Sequence, residues 1–126
     1  MKKILASVVM VAVVLGAVAA SAANFDGVYK FTSRSKEGTP DMAGWWGMMV
    51  ITNGTMSRLY HSPDGVQEKY YVGAMTQVGD VTTLRLTQAY KPEYVGNEHR
   101  NLIRFTGTNL IVESEDGKFK EVWTKK

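Results

Sequence analysis

The chain has no cysteine, only two histidines and only three prolines in 126 residues. Without cysteine there is no disulfide scaffold, no thiolate zinc site, no cysteine nucleophile and no lipid attachment at an N-terminal Cys. Two histidines leave little for imidazole catalysis or metal ligation. Stability must therefore come from a packed core. Charge of one sign is also scarce. The formal net charge is +3, and Lys2 and Lys3 carry two of those charges, so the remainder is almost neutral. That gives no support for nucleic acid or an anionic membrane surface as a partner.

A long apolar, uncharged run occurs only at the start, where Ile4 to Ala20 follows the basic Met1-Lys2-Lys3. Ala20-Ser21-Ala22 then supplies the small-x-small pattern of a signal-peptidase site, with Ser21-Ala22-Ala23 as the alternative one residue on. Residues 1–23 are expected to be a cleaved secretory signal peptide, leaving no stable membrane anchor and a periplasmic or secreted product. The alternative is an uncleaved anchor, because the run has about the minimum length for a span. Residues 24–126 are expected to form one domain.

What the chain does have is a succession of short runs bounded by turn residues. Asn101 to Thr106, Asn109 to Ser114 and Lys118 to Thr124 are joined by Gly107-Thr108-Asn109 and Glu115-Asp116-Gly117. Gly and Asn accept the left-handed backbone of narrow hairpins, so these runs pair as an antiparallel meander. Upstream, Phe25 to Arg34 puts Phe25, Gly27, Tyr29 and Phe31 on one face. A loop is expected over Ser35 to Gly44, where Pro40 opposes pairing. Trp45 to Thr52 is apolar enough to be covered on both sides. Asn53-Gly54 turns it into Thr55 to His61, and Ser62-Pro63-Asp64-Gly65 turns the chain again. Val66 to Gln77 alternates with Val66, Tyr70, Val72 and Ala74 on its apolar face. Gly79-Asp80 leads to Val81 to Gln88, which buries Leu84 and Leu86, and Ala89 to His99 is the long connection. With no convincing helix, the fold class is all-β, an eight-stranded antiparallel up-and-down β-barrel that leaves no open edge.

Two patches resemble the bacterial lipocalin-like domain. One is Met49-Val50-Ile51-Thr52-Asn53-Gly54-Thr55-Met56-Ser57-Arg58. The other runs from Tyr71-Val72-Gly73 through Gly79-Asp80-Val81, Pro92-Glu93-Tyr94-Val95-Gly96 and Arg100 to Phe105-Thr106-Gly107, Leu110 and Trp123-Thr124-Lys125. Gly27-Val28-Tyr29 resembles the Gly-x-Trp of lipocalin first strands, with Tyr in place of Trp. The last strand offers only Lys where lipocalins bring an Arg onto that ring. The resemblance implies a calycin-like barrel with a central cavity and implies no particular activity.

Catalytic constellations are poor. His61-Ser62-x-Asp64 has the residue types of a nucleophilic triad but crowds them into one turn, where capping the backbone is the better use. His99 with Glu93 and Glu98 reads as solvated loop charge rather than a metal site. No catalytic residue, metal or cofactor is assigned. The candidate ligand-binding set is Trp45, Trp46, Met48, Arg58, Tyr60, Tyr70 and Trp123. Trp45, Trp46, Met48 and Met49 follow the expected lid loop, and such wide, polarizable side chains read first as core and second as the wall for an apolar ligand.

Strand parity bears on Arg58. If Met56 faces inward, so do Arg58 and Tyr60, while Phe119, Glu121 and Trp123 face inward together on the last strand. An inward Arg needs an anion, either Glu121 or the carboxylate of an acidic amphiphile. The alternative, which the pattern favours, turns Arg58 to solvent through a slip of parity at a bulge. Arg85 and Arg104 belong outside, flanking inward Leu84, Leu86, Ile103 and Phe105. The expected function is a non-enzymatic exported protein holding a small hydrophobic or acidic amphipathic ligand. A protein-interaction module with a filled barrel, working through Trp45-Trp46 and Ala89 to His99, is the alternative. An isomerase or cyclase using Arg58, Tyr60 and Tyr70 has only residue types behind it.

Overall fold

Nine strands account for almost all of the regular structure: β1 Gly27–Lys36, β2 Thr39–Asp41, β3 Trp46–Thr52, β4 Thr55–His61, β5 Glu68–Val78, β6 Val81–Ala89, β7 Glu98–Thr106, β8 Asn109–Ser114 and β9 Phe119–Lys125. The structure is a computed structural model and describes residues 24–126. The expected signal peptide, residues 1–23, lies outside the described residues. β1 and β3 to β9 pair antiparallel in chain order, and β9 returns to β1, so eight strands close a barrel with up-and-down order. Closure uses every backbone edge except that of β2, an added strand on β1.

The turns explain the order. Asn53 and Gly54 have φ of 50° and 76°, the left-handed pair that a two-residue hairpin needs. The connection between β6 and β7 contains one 3-10 turn, Pro92–Tyr94. Alternation then fills the inside with Tyr29, Phe31, Met49, Ile51, Met56, Leu84, Leu86, Leu110, Val112 and Trp123, all buried. Phe25, also buried, crosses the end of the barrel where Asn53-Gly54, Gly79-Asp80 and Gly107-Thr108 turn, and its carbonyl accepts the Tyr29 hydroxyl proton. The turns at Ser62–Gly65 and Glu115–Gly117 and the β6–β7 connection border the opposite end, the mouth.

Four expectations are corrected. The expected loop over Ser35 to Gly44 contains β2, with Pro40 opposite Ser35. Proline is tolerated there because β2 is an edge strand whose outer side donates to nothing. β3 is covered on one side only. Met49 and Ile51 point inward, while Trp46 and Met48 are exposed on the outer face. On β5 the parity is the reverse of the expected one, because β4 fixes the register: Met56 pairs with Gly73 and Arg58 with Tyr71. Tyr71, Gly73 and Met75 therefore face inward, Tyr70, Val72 and Ala74 face outward, and Val66 is exposed ahead of the strand. Gly73 is required at its position, since a Cβ there would lie 2.4 Å from the Arg85 carbonyl oxygen. Finally, Phe105 shares the parity of buried Ile103 but is 41% exposed, because the strand runs out at the barrel end. Its ring meets Phe25 and Tyr29, and the Lys125 ammonium lies 5.6 Å from its centroid.

Candidate functional site

Arg58 points into the barrel. It pairs in register with Met49 on β3 and Tyr71 on β5, follows the parity of buried Met56 and Tyr60, and is 8% exposed. The outward reading is overturned: no bulge interrupts β4. Register shifts lie elsewhere, one at Thr87 on β6 and one on β1, and the second bears on the mouth. Phe31 pairs with Trp123, but the next pair is Ser33 with Val122, so one extra residue is accommodated and the parity flips. Without that flip Ser33 would point inward and Arg34 outward. With it, Arg34 stands opposite Glu121 and reaches into the mouth.

Glu121 is the centre of the resulting network. It is 3% exposed, and four side chains donate to its two oxygens. The Tyr60 hydroxyl lies 2.9 Å from both Oε1 and Oε2. Trp123 Nε1 donates to Oε1 at 3.0 Å and Arg34 Nη1 to Oε2 at 3.1 Å. Arg58 Nη1 is the loosest, 3.4 Å from Oε1 and 3.4 Å from the Tyr60 oxygen. Beneath them Phe31, Tyr60 and Trp123 meet edge to face, with ring centroids 5.2 to 5.6 Å apart. Such contacts are worth about 1 kcal/mol per pair and hold the acceptor's donors in place.

The Arg58 guanidinium is only half used. Its Nε is buried without a partner, and its Nη2 has none among the described residues. Nε and Nη2 form the edge on which an arginine grips a carboxylate with two bonds, as Arg100 grips Glu115 here at 2.7 and 2.9 Å. Burial opposes the Arg58 charge, but Tyr60 and Glu121 outweigh it and hold its pKa above the ordinary value. Burial pushes the Tyr60 hydroxyl well up, against the pull of Arg58, so it stays a donor. The Tyr71 ring carries Arg58 5.3 Å from its centroid, and burial raises its hydroxyl pKa to about 12. His99 meets the edge of Tyr71 at 6.3 Å, and burial with nearby Arg58 lowers its pKa.

These groups line a cavity of about 460 Å³ that opens at the mouth, within the usual range for small-molecule sites. Its other walls come from Val112, Phe119 and the Arg100–Glu115 pair at the rim. Tyr94, stacked on Tyr71 at 6.4 Å, and Tyr90 extend the aromatic wall. A second depression of about 540 Å³ lies at the far end between Gly79, Asp80, Leu102 and Phe105. It is walled by Phe25, the Gly79-Asp80 turn and the end of β7, and its one arginine, Arg104, is already paired with Glu113. The mouth is the better site because it alone holds a buried, half-used charge.

Of the seven residues selected from sequence, Arg58, Tyr60 and Trp123 come together here. Trp45 is half-buried at the rim with Lys69 over its ring. Trp46, Met48 and Tyr70 are on the outside, at 52%, 44% and 37% exposure. Sequence reasoning missed Arg34 and Tyr71. Arg34 gave no signal, because a bulge is invisible in alternation. Tyr71 was recoverable from its pairing with Arg58. The His61-Ser62-x-Asp64 turn is a closed hydrogen-bonded unit: Ser62 Oγ donates to Asp64 at 2.6 Å and accepts the Gln67 amide at 2.9 Å. His61 stacks on Trp46 outside, 4.2 Å between centroids, and pairs with Glu68. Among the described residues no three His, Asp or Glu side chains group around a metal-sized site.

No protein-family model matches the chain, and no curated protein matches its sequence. Solved structures do. The crystal structure of a lipocalin-like protein from Bacteroides uniformis superposes with a TM-score of 0.58 at 16% identity, covering 80% of this chain and 97% of the other. An uncharacterized protein from Bacteroides eggerthii gives 0.57 at 12% identity, covering 82% and 100%. Identity this low speaks for architecture alone. By fold, the chain is a lipocalin-like β-barrel.

Proposed function

We propose that this is an exported, non-enzymatic binding protein that seats a small acidic amphiphile in the mouth of the barrel. The acid group sits on the free edge of Arg58 and the apolar part lies along Tyr71, Val112 and Phe119. The observation that carries this reading is the half-used guanidinium, 8% exposed, with Nε buried and unpartnered beside a cavity. An arginine so placed is costly unless something completes it. Glu121 does not block the ligand, because its charge is taken up by Tyr60, Trp123 and Arg34 on the other side. The far half of the barrel is packed, so the ligand is short rather than threaded through the interior.

Titration with a dansyl-labelled medium-chain fatty acid, read by transfer from Trp123 and Trp45, tests this. Saturable binding is expected. Arg58→Ala should weaken it by about 2 kcal/mol, roughly thirtyfold, as a charge-assisted contact is lost. Arg58→Lys should recover only part, since it keeps the charge and loses the fork. Equal affinity in wild type and Arg58→Ala would remove the anion anchor. No binding to wild type at all would remove the ligand.

A further inference from the structure

The residues that the interior did not absorb form a surface of their own. On the outer wall of β1, β3, β4 and β5, register places Lys30, Met48, Leu59 and Tyr70 in one row across the strands. Val28, Val50, Ser57 and Val72 make the row beside it, and Trp46 stacked on His61 flanks the other side. Trp46, Met48, Val28 and Tyr70 are 52%, 44%, 39% and 37% exposed. The opposite wall is different, since Arg104–Glu113 joins β7 to β8 and Arg100–Glu115 joins β7 to the turn after β8 at the rim. A contiguous apolar patch confined to one wall, containing Trp, Met and Tyr, has the composition of a protein interface.

We propose that this wall is the interface of a weak homodimer. The argument for a second copy is complementarity. The full charges bordering the patch are Lys30, Lys126 beside Val28, Arg85 opposite Ala74 and the His61–Glu68 pair, so the rim is mixed in sign and leaves the apolar face to decide the match. The same chain does match. A two-fold axis lying in the interface and running between β3 and β4 exchanges those strands and exchanges β1 with β5. It sets Met48 against the partner copy's Leu59, Val28 against its Val72, and the Lys30 ammonium over its Tyr70 ring, a cation–π contact. None of these contacts joins like charges.

The patch is small. From a strand spacing of about 4.8 Å and a rise of about 3.3 Å per residue, three rows over four strands cover roughly 400 Å². Standard interfaces bury about 800 Å² per partner, so association is expected to be weak and transient.

Sedimentation equilibrium of residues 24–126 from about 10 to about 500 μM is the test. Wild type should pass from monomer to dimer. Met48→Lys, at an exposed position where folding is not at stake and circular dichroism should be unchanged, should stay monomeric throughout. Lys30→Glu should weaken association severalfold. Thr106→Lys at a distant turn and Arg58→Ala inside the barrel should leave it intact, which separates this interface from the ligand site. A wild type that remains monomeric at 500 μM overturns the proposal, and so does a dimer that survives Met48→Lys. Binding to phosphatidylglycerol vesicles that Met48→Lys abolishes, without dimerisation, would also overturn it and give the face to lipid.

Discussion

Toward the far end the barrel interior is closed with Tyr29, Met56 and Leu110, each 0 to 1% exposed. Toward the mouth the same strands deliver Arg58, Tyr60, Glu121 and Trp123, equally buried but tied by one carboxylate. Both halves obey the same alternation, so the contrast is chemical. The far half gains from area removed from water, and its one buried polar side chain among the described residues, Thr82, is left without a partner. The mouth half loses by desolvating two charges and regains that only through geometry. The difference separates packing that stabilises by area from a polar network that holds only by geometry.

The largest expected effect tests the mouth. Glu121→Ala leaves Arg58 buried beside no anion and strips acceptors from Tyr60, Trp123 and Arg34. Urea unfolding should show a loss of about 3 to 5 kcal/mol. Replacing both charges, Arg58→Met with Glu121→Leu, should restore wild-type stability or exceed it while abolishing fatty-acid binding. If the double variant stayed as unstable as Glu121→Ala, the network would be structural and the contrast between the halves would fail.

The far half should answer differently. Leu110→Ala empties a fully buried position and should cost about 3 kcal/mol. Its affinity for the fatty-acid probe, measured below the unfolding transition, should match wild type. A large change in affinity would mean that ligand reaches the packed half.

Much of this contrast was readable from the chain, and the parts that were not have specific causes. Alternation and turn chemistry placed the strands, because Asn53-Gly54, Gly79-Asp80 and Gly107-Thr108 permit little else. Inward Phe31, Leu84 and Trp123 followed from the same period. β5 failed because its two faces are almost equally apolar: Tyr70, Val72 and Ala74 against Tyr71, Gly73 and Met75. Only pairing with β4 decides between them. β3 failed because its outer face is apolar for a surface reason rather than for burial. The bulge was anticipated, but on the wrong strand. Hydrophobic patterning cannot report a single extra residue in an exposed Thr32-Ser33 pair, and that residue is what turns Arg34 toward Glu121.

The smallest effect concerns pH and joins the two readings of the mouth. His99 lines the cavity from β7, facing Arg58 on β4, Tyr71 on β5 and Glu121 on β9. Burial and Arg58 lower its pKa from the ordinary 6.5, while Glu121 opposes them weakly. Lowering means that the folded state holds fewer protons than the unfolded one. The stability tied to neutral His99 is therefore fully present above pH 6.5 and is lost as pH falls through 6.5 toward the folded value. His99→Gln should flatten that loss. A carboxylate seated on Arg58 removes the repulsion that Arg58 exerts, so the bound state raises the pKa of His99 and takes up a proton. Fatty-acid affinity should then increase as pH falls below 6.5, until the probe's own carboxyl begins to protonate near about 4.3. In His99→Gln the affinity should be flat over that window. Affinity that declines steadily from pH 7 to pH 5.5 in wild type, with the same slope in His99→Gln, would show that the acid group does not sit beside Arg58 and His99, even if the barrel binds the probe.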